Sequence, residues 1–284
     1  MVKNPEINLF WYSIDKFRKK PSVLSKTYIK KLILREKEKE NYGDLLSKYI
    51  IEKITKTRTN WYSPKSKNLK VNLLAIGSIL NYADEKSIVW GSGIIDRKHA
   101  IANADFRAVR GPLTRERLLE LGYSCPKIYG DPALLLPKFY KPDVDKQFEI
   151  GIIPHHVDYN LVSSIYRNQP GIKVINLLTR NIEKTTEEIL GCERIISSSL
   201  HGLIVAHAYG IPAVWVKFSN NLYGDGVKFE DYLISVNLRP YTGEYISGYK
   251  SKEELIKVIS KVDNLPVSVD VQKIQGDLLL SCPF

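Results

Sequence analysis

Cysteine is scarce. Cys125, Cys192 and Cys282 are the only three in 284 residues; no two have metal-ligand spacing, and an odd count argues against a disulfide framework. They are expected to be reduced and structural. Long apolar runs are missing too: nothing reaches the roughly 18 residues of a spanning helix. The opening Met-Val-Lys-Asn-Pro-Glu lacks the apolar core and cleavage site of a signal peptide, so a cytoplasmic location is expected. No helix-turn-helix, zinc-finger or aromatic-basic RNA-binding signature is present, which argues against nucleic acid as a partner. Without a Gly-x-Ser-x-Gly elbow, a serine nucleophile is disfavoured. His155 and His156 are adjacent and face opposite sides of an extended backbone, so no metal site is expected.

Acidic residues are the minority charge. Lys and Arg number 42 against 31 Asp and Glu, a formal balance of +11, and such a surplus suits anionic substrates or an anionic membrane face. Much of it precedes residue 75, in Lys16, Arg18, Lys19, Lys20, Lys26, Lys30, Lys31, Arg35, Lys37 and Lys39. Solvated surface is the plainer reading of that run. A hydrophobic fraction of 44% with 26% charged residues is globular, and the length fits two domains of ordinary size.

Strand and helix signals alternate along the chain. Residues 7–14 are aromatic and β-branched, a first strand, and Asp44 is placed to cap a helix carrying Leu45, Leu46, Tyr49, Ile50 and Ile54. Residues 60–70 read as loop. The apolar run 87–90 ends in Gly91-Ser92-Gly93, a tight turn or a phosphate cradle. A strand over 106–110 is closed by Gly111-Pro112-Leu113-Thr114, where Thr114 is expected to cap a helix over 115–121. Residues 137–146, with two prolines and few aliphatics, suit an interdomain linker. Beyond them strands are expected over 148–153, 173–177 and 211–216, with helices over 181–190, 227–234 and 251–262. The alternation on both sides of residue 140 implies an α/β fold: two Rossmann-like domains, 1–142 and 143–284, whose mostly parallel sheets face a cleft. The C-terminal helix is expected to pack back on the first domain.

Residues 194–216 are the stretch around which the chain is organised. A short apolar strand runs into Ser197-Ser198-Ser199, and His201 then opens a segment with Leu203, Ile204, Ala206, Ala208 and Tyr209 at helical spacing, ended by Gly210 and Pro212. His201 therefore sits at the carboxyl end of a strand and the mouth of a helix, where open α/β sheets bind ligands and unpaired N–H groups favour an anion. An imidazole there can give and take a proton near neutral pH; a structural histidine is the bland alternative. Arg110, before Gly111-Pro112, suits a carboxylate or phosphate through forked hydrogen bonds, or is surface charge. Arg115 and Arg117 point different ways around their helix. Lys217 and Lys228 flank a polar loop, and either can reach the cleft.

These residues carry a family resemblance. Asn41-Tyr42-Gly43-Asp44, Trp90-Gly91-Ser92-Gly93, Val109-Arg110-Gly111-Pro112-Leu113-Thr114, Gly130-Asp131-Pro132-Ala133, Ile152-Ile153-Pro154-His155, Ser198-Ser199-Leu200-His201-Gly202 and Tyr209-Gly210-Ile211-Pro212 occur in an order that resembles the polysaccharide pyruvyl transferases. The resemblance implies a fold like that of GT-B glycosyltransferases and transfer of a pyruvyl group from phosphoenolpyruvate onto two hydroxyls of a sugar, as a cyclic ketal. It implies a cell-surface polysaccharide precursor as acceptor, often lipid-linked, and so work at the inner face of the plasma membrane, with no cofactor beyond the co-substrate. Carried over, His201 is the general acid, Arg110, Ser199, Leu200, Lys217 and Lys228 lie on the donor side, and Asn41, Asp44, Gly91, Ser92, Gly93 and His155 line the acceptor side or cleft. One departure is that many relatives have Arg-Leu-His where Ser199-Leu200-His201 stands. Two other readings fit the same architecture: a nucleotide-sugar glycosyltransferase, and a non-catalytic carbohydrate-binding or assembly protein.

Overall fold

The β-branched and aromatic runs form strands, and the amphipathic stretches between them form the helices that cover those strands. The computed structural model describes residues 6–17, 39–64, 66, 68–262 and 271–284. The first half contains β1 (Ile7–Phe10), α1 (Ile14–Phe17), β2 (Glu40–Asn41), α2 (Tyr42–Thr55), β3 (Thr59–Trp61), β4 (Asn72–Leu74), β5 (Ser87–Trp90), β6 (Asp105–Ala108), α3 (Pro112–Glu120) and α4 (Leu136–Phe139). The second contains β7 (Phe148–Ile153), α5 (Tyr159–Tyr166), β8 (Ile172–Val174), β9 (Leu178–Thr179), α6 (Ile182–Leu190), β10 (Cys192–Ser197), α7 (Leu200–Ala208), β11 (Ala213–Lys217), α8 (Val227–Ser235), β12 (Glu244–Tyr245), α9 (Lys252–Ser260) and α10 (Val271–Leu280).

Two five-stranded sheets result. The first has the order β3-β1-β4-β5-β6 and the second β12-β11-β10-β7-β8, with every pairing parallel. Parallel neighbours require a crossover, usually helical, that covers a sheet face. Central strands therefore read as nearly continuous apolar runs, as in Ile150, Ile152 and Ile153, all fully buried. A small antiparallel pair, β2 with β9, sets Asn41 opposite Leu178 and so ties the entrance of α2 to the second half of the chain. One apolar cluster crosses both halves, with Leu73 and Trp90 on one side, Ile153 and Leu203 on the other, and Ala133 and Leu134 between them. In α10, Leu278 O accepts from Trp90 Nε1 at 2.9 Å and Gln275 Nε2 donates to Leu134 O at 2.7 Å, which fastens the end of the chain to the first half.

The structure departs from the sequence reading at several ends. Asn41, not Asp44, caps α2: its side chain accepts from Gly43 N, and Asp44 falls inside the first turn. Thr114 does not cap α3 either. Gly111 holds the cap position and Pro112 begins the helix, where its missing N–H costs nothing. Asn60 and Trp61, the start of the stretch read as loop, pair with Thr59 as the edge strand β3 because β1 offers an open side. The strand expected over 106–110 stops at Ala108, and Val109 continues it only by a bridge to Tyr129. The basic residues Arg18, Lys19, Lys20, Lys26, Lys30, Lys31, Arg35 and Lys37 lie outside the described residues.

Candidate active site

The loops after β4, β5, β6, β7 and β10 meet the N-terminal ends of α2 and α8 at the carboxyl edges of the sheets. There the serine run makes a tight turn. Ser197 Oγ accepts from Ser199 N at 3.0 Å and lies 3.0 Å from Ile153 O and 2.8 Å from Ser199 O, while Ser198 Oγ accepts from His155 N at 2.8 Å. The hydroxyls of Ser197 and Ser198 are thus committed to the turn, which works against a serine nucleophile. Ser199 occupies the cap position of α7 without a side-chain cap bond, and His201 follows as the second helical residue. Its imidazole lies flat against α2, so close that a Cβ on Gly43 would fall 2.1 Å from Nδ1.

His201 faces a carboxylate across a gap. Its Nε2 is 3.8 Å from Asp131 Oδ2, with 13% of the histidine side chain exposed and none of the aspartate. Neither atom has a hydrogen-bond partner. Asp131 stands at the turn after residue 130, where its Oδ1 accepts from Ala133 N at 2.9 Å. Gly91 allows this turn to approach: its φ is +93° and a Cβ there would fall 2.2 Å from Pro132 Cδ.

Arg110 is fully buried, so the surface-charge reading of it fails. Its Nε donates to Asp231 Oδ2 at 3.1 Å, its Nη1 to Ser78 Oγ at 2.6 Å and its Nη2 to Ile94 O at 2.6 Å. Asp231 also accepts from Thr114 N at 3.0 Å and from Thr114 Oγ1 at 2.6 Å, which explains what that threonine does in place of capping. The guanidinium lies on Gly93, where a Cβ would fall 2.3 Å from Cζ. Three of the five guanidinium N–H groups are used in this way, and the charge still reaches the imidazole.

Burial dominates the electrostatics. It lowers the His201 pKa to about 3, helped by the positive charges of Arg110 and Lys228. Lys228 in turn is lowered to about 8 by burial and by Arg110, against the attraction of Asp44. Asp44 is raised to about 8 by burial and Glu40, opposed by Lys228. Asp131 is raised to about 7 by burial, opposed by the Ala133 N–H and by Arg110. His155 is lowered to about 3 by burial, His156 and Lys228. His201, Arg110, Lys228, Asp44 and His155 therefore share one electrostatic neighbourhood, although they come from five separate elements.

The remaining candidates are more dispersed. Leu200 packs its side chain into the apolar core, leaving only its backbone for a ligand. The Asn41 side-chain oxygen is taken by the helix cap. Ser92 is buried and donates to Gly77 O at 3.1 Å. Lys217 lies over Trp215, its Nζ 5.4 Å from the ring centroid. Arg115 Nε donates to Cys125 O at 2.9 Å and Arg117 pairs with Glu120 at 3.1 Å, so neither joins Arg110. Among the described residues no three His, Cys, Asp or Glu side chains are arranged to hold a metal ion, and no helix is long and apolar enough to cross a membrane.

The family model described as Polysaccharide pyruvyl transferase matches residues 3–220. The chain belongs to that family. An uncharacterized protein of Acanthamoeba polyphaga mimivirus is similar to it, 31% identical over 204 residues that cover 68% of this chain and 70% of the relative. Membership makes this a pyruvyl transferase of polysaccharide metabolism. The matched region of the pyruvyl transferase includes Gly43, Arg110, Asp131 and His201 but ends before α8, so Lys228 and Asp231 are supplied by sequence outside it. Asp131 and Asp231 were not among the residues singled out by the sequence. Asp131 had a signal, since it stands within Gly130-Asp131-Pro132-Ala133, one of the motifs that carry the resemblance, but no site role was given to it; Asp231, on an ordinary amphipathic helix, had none.

Proposed function

We propose that the protein transfers the pyruvyl group of phosphoenolpyruvate onto two hydroxyls of a sugar in a cell-surface polysaccharide precursor, forming a cyclic ketal and releasing phosphate. The observation that carries this reading is the setting of His201: a largely covered imidazole at a helix mouth, with its buried Nε2 unsatisfied, under the field of two cations from other elements. A donor bearing both carboxylate and phosphate matches that field and the free N–H groups of the helix start. His201 gives a proton to the methylene carbon of the donor, and the resulting electron-poor C2 is attacked by one sugar hydroxyl. The C2–O bond to phosphate then breaks, and the second hydroxyl closes on C2. Of the two hydroxyl protons lost by the sugar, one replaces the proton now in the methyl group and the other leaves with phosphate. Arg110 and Lys228 stabilise the charge on the departing group. We assign to Lys228 the positive charge that an arginine at the Ser199 position gives many relatives.

The same reading divides the chain at residues 142 and 143 into two Rossmann-like, GT-B-like lobes, the first lending Arg110 and the second His201. Asp44 and His155 then face the acceptor side. The basic stretch before residue 40 is assigned to an anionic membrane face where a lipid-linked acceptor is presented, on the cytoplasmic side. The test is phosphate release from phosphoenolpyruvate against a panel of glycosides, with mass analysis of the adduct. Release that requires the acceptor, with a pyruvyl adduct on it, is the expected result. Consumption of a nucleotide sugar instead, or sugar binding without turnover, would replace it with one of the alternative readings.

A further inference from the structure

Two buried polar atoms without partners, set facing one another, call for an explanation, because buried side-chain nitrogens and oxygens are nearly always hydrogen-bonded. His201 Nε2 and Asp131 Oδ2 are such a pair, 3.8 Å apart. The structural duty of the Asp131 carboxylate falls on Oδ1, which caps the turn through Ala133 N. Oδ2 is left over, and it is aimed at the imidazole. A movement of roughly 1 Å would bring the two atoms to hydrogen-bond distance.

Resting on the pyruvyl-transfer reading, we infer that Asp131 is the positioning residue of this site: its Oδ2 receives the Nε2–H of His201, fixes the ring tautomer and leaves Nδ1 to exchange the proton with substrate. A carboxylate behind a histidine does this in general by selecting one tautomer and by stabilising the imidazolium when it forms. The pair holds one proton between its two groups. When that proton passes to the donor carbon the pair is empty, and a proton from an acceptor hydroxyl refills it, so none is gained or lost over the cycle. The charged and titratable groups around the pair are Arg110 at the end of the first sheet, Lys228 and Tyr232 on α8, and Asp44 on α2. Burial places the proton on the carboxyl in the free protein, since Asp131 is raised to about 7 and His201 lowered to about 3.

The test is histidine NMR on the full-length protein without ligand, with His201→Gln to assign the signal. The expected wild-type result is a change in the His201 ring signal near pH 7, from the Nδ1–H tautomer while Asp131 holds its proton on Oδ2 to the Nε2–H tautomer once Asp131 has given it up. Asp131→Asn keeps an oxygen for Ala133 N and should keep the fold, but should abolish that change. In the phosphate-release assay it should lower kcat at least about 100-fold, with KM for phosphoenolpyruvate within about threefold. A wild-type ring that stays in the Nδ1–H tautomer on the alkaline side of pH 7, or a His201 titration the same in Asp131→Asn as in wild type, would overturn the inference. The wild-type spectrum needs no variant to fold and no substrate to be right. A protein that shows the expected ring signal yet never uses phosphoenolpyruvate would sink the assigned reaction and leave the pair standing.

Discussion

Replacing Asp231 by Ala takes the counter-ion from an arginine that is fully buried, and leaves the Thr114 backbone and hydroxyl donors without their acceptor. Arg110 has no solvent to turn to: Gly93 packs on the guanidinium, and the other two bonds run to Ser78 and to Ile94 O. Breaking a buried pair by removing one partner costs about 3–5 kcal/mol, because an uncompensated charge stays inside. Set against a total stability of about 5–15 kcal/mol, that is a large fraction. With a urea slope of about 3 kcal/mol/M, the unfolding midpoint should fall by about 1 M or more. If the cost comes from the stranded charge rather than from lost packing, the double variant Arg110→Met with Asp231→Leu should be more stable than Asp231→Ala alone, and a double-mutant cycle should report strong coupling. A midpoint for Asp231→Ala within about 0.3 M of wild type, or additive single effects, would refute the reasoning.

Three further outcomes are expected. His201→Ala should reduce acceptor-dependent phosphate release at least about 100-fold while shifting the urea midpoint less than Asp231→Ala does. Gly43→Ala sets two effects against each other: alanine is the better helix former by about 1 kcal/mol, but its Cβ would fall 2.1 Å from His201 Nδ1. The collision should win, lowering both the melting temperature and turnover; a stabilised, active variant would show that the ring can step aside. Asp44→Asn tests the pH dependence of folding. The Asp44 pKa rises from 3.8 to about 8 on folding, so in that window the folded state binds the proton more tightly and its contribution to stability is lost as pH rises. Urea midpoints of wild type should therefore decline across about pH 4 to 8 more steeply than those of Asp44→Asn; parallel curves would count against a raised Asp44 pKa.

What the sequence made legible was what depends on local pattern. The β/α alternation and the two parallel sheets follow from short apolar runs separated by helical periodicity, and the turn-to-helix placement of His201 follows from three small hydroxyl residues before it. The ends of α2 and α3 were misread for one reason: the nearest capping-type residue was chosen, whereas Asn41 and Gly111, three residues earlier in each case, hold the cap positions, and the free N–H of Thr114 goes to Asp231. That freed Thr114 for Asp231, 117 positions away. Helices α5 and α10 went unseen; α10 buries only Gln275 and Leu278, whereas α5 buries Val162, Ser163 and Tyr166. The main omission at the site has the same origin. Arg110 with Asp231, and His201 with Asp131, are contacts made by tertiary packing between elements far apart in the chain, and no periodicity reports them.

The electrostatic neighbourhood of His201 has a consequence for the order of events. Burial pushes four ionisable groups there toward their neutral forms, His201 and Lys228 downward, Asp44 and Asp131 upward. A free site of this kind holds a neutral imidazole, a poor acid. An anion bearing a carboxylate and a phosphate changes the balance, since negative charge beside the imidazole and the ammonium favours their protonated forms. In the proposed reaction the acid is thus made by the donor it will protonate, the proton passing to the imidazole from the Asp131 carboxyl or, where that group is ionised, from solvent. This order suits addition to an enol carbon, which needs a proton delivered at carbon before any sugar hydroxyl can attack.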